Sequence, residues 1–149
     1  MKNLQILFVI ALFVMSACGK SGEHDHSNHD AAADESPNQA LYDQVMDVHD
    51  EVMPRMGDLM KLKRELQEKI ATTPDMVVEK KAQLEKVISN LDSANTAMMN
   101  WMHEFNPLPD SVDQEKAREY LESEIERIRK VKSLVTETIE KAKEETTKN

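Results

Sequence analysis

The chain has 149 residues, a formal net charge of −9, one Cys, three Gly and five Pro. That length suits one domain, a single Cys excludes an intramolecular disulfide framework and any Cys-rich zinc module, and so few glycines leave neither a GxGxxG nor a GxxxxGKS/T phosphate loop. The acidic balance argues against a nucleic-acid surface, which needs a basic face, and 4% aromatic against 32% charged residues points to long helices rather than strands.

The chain opens with Lys2, then an apolar run from Leu4 to Met15 broken only by Gln5, then Ser16-Ala17-Cys18. A run of this length falls short of the roughly 20 residues of a resident membrane helix. It reads as a secretory signal peptide over residues 1–17. Met15-Ser16-Ala17-Cys18 resembles the lipobox of bacterial lipoproteins, with Met15 where Leu is usual. The resemblance implies cleavage before Cys18, a diacylglyceryl group on its sulfur and an acylated new amino terminus. Each buried CH2 of such chains contributes about 0.8 kcal/mol of anchoring. The other reading is an ordinary cleaved signal with an incidental Cys, although a free thiol is a liability in an oxidising compartment.

Residues 18–36 follow as a tether, because Gly19 to Ser36 holds no aromatic or large aliphatic side chain to bury. Flexible chain of that length spans about 24 Å, enough to hold a domain clear of headgroups. Gly19 is not the Asp that retains some lipoproteins in the inner membrane, so the resemblance favours the outer membrane. Glu23 and Asp25 leave surface display open. His24, His26 and His29 in this stretch could capture Zn(II), Cu(II) or Ni(II) weakly. A real site needs fixed geometry and supporting groups, so a solvated linker is the simpler reading.

Ser36-Pro37-Asn38-Gln39 has the S-x-x-Q form of a capping box with Pro at the first helical position. A first helix is expected over about 37–71, with Leu41, Val45, Val48, Val52, Leu59, Leu62 and Leu66 on its core stripe. Pro54 should kink it without changing the phase of the stripe. A second stripe, Met46, His49, Met53, Met56 and Met60, widens the apolar face. Thr73 as cap and Pro74-Asp75 in the first turn set a second helix over about 74–105, with Val77, Leu84, Leu91, Met98 and Phe105 at intervals of seven. Val87, Ala94 and Trp101 fill one flank of it, and Ile88 and Met102 the other. Asn106-Pro107-Leu108-Pro109 ends it.

A second S-x-x-Q box, Ser111 to Gln114, opens a third helix over about 111–145. Its core line is Leu121, Ile128, Val135 and Ala142, with Ile125, Val131 and Ile139 beside it. Three helices of similar length joined by short turns give an all-α, antiparallel up-down-up three-helix bundle of coiled-coil-like helices over residues 37–149, expected to be monomeric. The alternative is a longer coiled coil that completes its core by dimerising.

A turn centred near residue 73 sets Met46 level with Met99 and His49 between Asn95 and Met98. Met46, His49, Met53, Met98 and Met102 then converge near one end. Thioether and imidazole ligands suit copper(I), while Met at helical spacing is also ordinary adaptable core, and a Met-lined partner groove is a third reading. Enzyme signals are close to absent, since His49-Asp50-Glu51-Val52-Met53 lacks the second His of HExxH. His103 reads as a surface or cap residue. The segments HDEVMPRM (His49 to Met56) and AMMNWMHEF (Ala97 to Phe105) resemble those of a group of small bacterial lipoproteins described as "viral A-type inclusion protein". The resemblance covers the first two helices, implies a lipoprotein with a helical bundle, and implies no activity. The expectation is a membrane-anchored envelope lipoprotein with a non-enzymatic helical interaction domain, a protein partner and no cofactor. The alternative is a copper-binding lipoprotein.

Overall fold

A computed structural model describes residues 38–109 and 111–148. Cys18, His24, His26 and His29, together with the expected signal, tether and first capping box, lie outside the described residues. The described chain is an antiparallel three-helix bundle: α1 (Gln39–Val52), a 3-10 turn (Met53–Arg55) and α2 (Met56–Ala71) form the first rod, α3 (Val78–Glu104) the second and α4 (Gln114–Thr147) the third. None of these helices is long and apolar enough to cross a membrane.

The apolar stripes become the core. Val45, Val52, Leu59 and Leu66 from the first rod meet Leu84, Leu91 and Met98 of α3 and Ile128, Val135 and Ile139 of α4, each no more than 1% exposed. Val52 and Leu59 lie either side of Pro54 and are both buried, so the stripe crosses the 3-10 turn in phase. Pro54 removes one i→i−4 bond and its ring would clash with the preceding turn, and tightening to a 3-10 turn relieves both. Arg55, which breaks the apolar stripe, sends its guanidinium to Thr136 Oγ1 on α4 at 2.8 Å.

The helix ends differ from expectation in two places. Thr73 does not cap α3. Its carbonyl accepts from Met76 N–H at 3.1 Å, closing a β-turn with Pro74 and Asp75 at the corners. Pro suits the second position of a turn as well as the first position of a helix, and here the turn takes it. α3 therefore starts at Val78, after Val77 as an N-cap without a side-chain bond, and Val77 is 66% exposed instead of core. At α4 the cap is Asp113, whose carboxylate accepts from Glu115 and Lys116 N–H at 3.1 and 3.2 Å, and not Ser111. Both residue types cap, but an ionised oxygen also answers the positive end of the helix dipole. At α1 the flanking residue is Asn38. Its side chain makes no cap and donates instead to the Gln114 carbonyl and Oε1 at 2.9 and 3.0 Å, joining the starts of α1 and α4.

The backbone of α1 runs close along α4, whereas α2 packs closely on both α3 and α4. Above the 3-10 turn the first rod thus leans toward α4 and stands away from α3. Side chains fill the seam that this leaves.

Candidate functional site

The seam between α1 and α3 is spanned by rings. His49 of α1 meets Trp101 of α3 with ring centroids 5.9 Å apart, and Trp101 stacks on Phe105 at 5.0 Å. Phe105 in turn meets Tyr42 of α1 at 6.2 Å and Tyr120 of α4 at 6.3 Å. Apart from Phe8 and Phe13 near the amino terminus, these are all the Trp, Tyr and Phe of the sequence. Offset or tilted ring pairs at such separations add about 0.5–1.5 kcal/mol each beyond their burial. The Tyr120 hydroxyl accepts from Asn106 N–H at 2.8 Å and so ties the α3–α4 loop to α4.

Trp101 is 3% exposed, and its indole N–H donates to Glu124 Oε2 at 2.9 Å. Glu124 is itself 3% exposed, and Arg127 donates to its other oxygen at 2.7 Å while also reaching Glu104. The Glu124 hydrogen bond raises the Arg127 pKa above its ordinary value. Among the described residues no buried side-chain nitrogen or oxygen lacks a partner. Beside the rings a shallow groove of about 190 Å³ opens between Asn38, Tyr42, Leu108, Val112, Ala117 and Leu121.

The methionine–histidine residues divide between two environments. Met98 is fully buried in the core, and Met102 packs half-buried against it. Met46 and His49 are half-buried, and Met53 is 37% exposed. His49 faces Trp101 rather than the space between Asn95 and Met98. α3 begins later than expected, so the register slides by about one turn. His49 Nδ1 lies 2.8 Å from Asp50 Oδ1. With the proton between those two atoms, Nε2 keeps its lone pair. His103, exposed near the end of α3, is a surface residue whose Nδ1 lies 2.6 Å from the Met99 carbonyl one turn back. Among the described residues no three His, Cys, Asp or Glu side chains gather as a metal site.

The aromatic cluster and Glu124 are the features that periodicity does not reveal. Two signals point to them. Tyr42, Trp101, Phe105 and Tyr120 sit at the three helix ends that an up-down-up bundle brings together. Glu124 stands three residues after Leu121, where the repeat asks for an apolar side chain. The chain matches no family model, no curated protein and no solved structure.

Proposed function

We propose that this chain is a membrane-anchored envelope lipoprotein whose bundle serves as a non-enzymatic docking domain for another protein. The observation that carries the reading is the one Cys of the sequence, Cys18, standing directly after an apolar run and the small pair Ser16-Ala17. The resemblance of the His49–Met56 and Ala97–Phe105 segments to small bacterial lipoproteins supports it. Gly19 favours the outer membrane within that reading.

The bundle suits such a role. The chain enters it at Asn38, at the end opposite the Thr72–Val77 turn. At that tip Val77 and Val78 are 66% and 77% exposed, next to the half-buried Met76. Adjacent branched apolar side chains held in water at a tip form a surface that a protein partner would cover. Radiolabelled palmitate should enter the wild-type chain and not Cys18→Ala, and equal labelling of the two would end the lipoprotein reading. A photo-crosslinking residue at Val78 should yield a discrete adduct in cells where one at Lys130, on the exposed face of α4, does not.

A further inference from the structure

We propose that Met46, His49 and Met53, backed by the ring of Trp101, form a binding site for copper(I). The three side chains follow one face of the first rod at i−3, i and i+4, the spacing at which helical neighbours meet. His49 fixes the direction of that face, because its ring lies 5.9 Å from Trp101 and so points across the seam toward α3. Two thioethers and one imidazole are soft, neutral ligands that favour copper(I) over Zn(II) or Mg(II). Asp50 supplies the supporting interaction expected of a ligating His: its carboxylate sits 2.8 Å from Nδ1, which orients the ring and leaves Nε2 for the ion. The Trp101 face adds an electrostatic attraction for a cation held near it.

Burial separates this site from ordinary core packing. Met98 needs no ligand to explain it, since a flexible thioether fills a fully buried gap. Met53 is 37% exposed and so is no core filler, and it sits where the helix tightens into the 3-10 turn at Pro54. Met46 and His49, two turns and one turn before it on the same helix face, are half-buried. None of the three is sealed in the core, so an ion can approach each from solvent without the core opening. The site is separate from the anchor and from the tip at Val77 and Val78, and its test depends on neither.

Trp101 is the only Trp of the sequence, so its fluorescence reports the site directly. The experiment uses the full chain in detergent with Cys18→Ala, which removes the one thiol. Copper(I) is added anaerobically against a competing chelator, with silver(I) as the redox-inert probe. The expected result is a saturable quench at one ion per chain, with no response to Zn(II). Met46→Leu and Met53→Leu should each weaken binding by about tenfold or more, and Asp50→Asn by about 10–100-fold. Met98→Leu and the combined His24→Ala, His26→Ala and His29→Ala variant should bind as the parent does. In the parent chain, silver(I) should move the methyl resonances of Met46 and Met53 and leave that of Met76, which keeps the test independent of how any variant folds. Absence of the quench, parental affinity in Met46→Leu and Met53→Leu, loss of binding with the three tether histidines, or unmoved Met46 and Met53 methyls would each overturn the assignment.

Discussion

Glu145 is 2% exposed, yet it carries a carboxylate. Lys80 and Lys148 and the Gln83 amide all donate to it, the last at 3.0 Å. The Lys80 hydrogen bond is the largest influence on its pKa and holds the carboxyl below the usual range, against burial, which pushes it up. A carboxylate whose folded value lies below its unfolded one stabilises the fold fully above the ordinary carboxylate range. That contribution is lost as the pH falls through the range toward the depressed folded value. Urea unfolding of the wild type should therefore weaken from neutral to acid pH. Glu145→Gln should be less stable at neutral pH and show a shallower acid decline. An unchanged acid slope in Glu145→Gln would show that other carboxylates set it. Glu145 and Glu124 read from sequence as part of a solvated, charged helix face. Their burial follows from which neighbours arrive: Lys80 and Gln83 from α3 at one end, Trp101 from α3 at the other.

The third rod, α4, is decided at its two ends. α4 starts on Asp113, so Asp113→Ala should lower stability by about 1 kcal/mol, while Ser111→Ala should leave the thermal midpoint unchanged. The reverse outcome would place the cap at the S-x-x-Q box after all. At the other end of α4, Lys69 of α2 donates to the Glu145 carbonyl at 3.0 Å and to that of Lys148, meeting the negative end of the helix dipole from a neighbouring rod. Pro54 belongs to the same scale. It is exposed, and the buried Val52 and Leu59 keep phase across it, so a continuous helix would bury the same side chains. Pro54→Ala should accordingly stabilise the chain by up to about 3 kcal/mol in thermal or urea unfolding. It should also draw α1 toward the line of α2 and narrow the seam beside Met53. If Pro54→Ala lowers stability instead, the lean of α1 onto α4, with the Arg55–Thr136 bond, is required by packing.

For the whole molecule, the core is one continuous cluster running from Val45 and Trp101 at the aromatic end to Leu66, Leu84 and Ala142 at the other. Leu91 lies inside it at 1% exposure. Leu91→Asp places a charge there without a partner and should abolish cooperative unfolding, as read by far-ultraviolet circular dichroism on heating. Val77 lies on the same sevenfold line in sequence but outside the core, at the uncapped N-cap of α3, so Val77→Asp should melt no lower than the wild type and gain about 1 kcal/mol from the cap it supplies. The wild-type midpoint should not move with protein concentration. A concentration-dependent midpoint would instead favour the dimeric coiled coil.

Read alone, the sequence determines the class of fold, the number of rods, their core lines and the place of the bend. Those properties depend on apolar spacing, on proline and on turn residues, all of them local along the chain. It does not determine where α3 begins, because Thr73-Pro74-Asp75 serves equally as a turn and as a helix start, and only the packed register chooses between them. Nor does it say that Trp101, Phe105, Tyr42, Tyr120 and His49 form one stack, that Glu124 and Glu145 are buried, or that Met98 and Met53 occupy different surroundings. Each of those outcomes depends on which side chain of another rod stands opposite. That is set by how three long helices lean on one another, a relation between segments up to 81 residues apart in the chain.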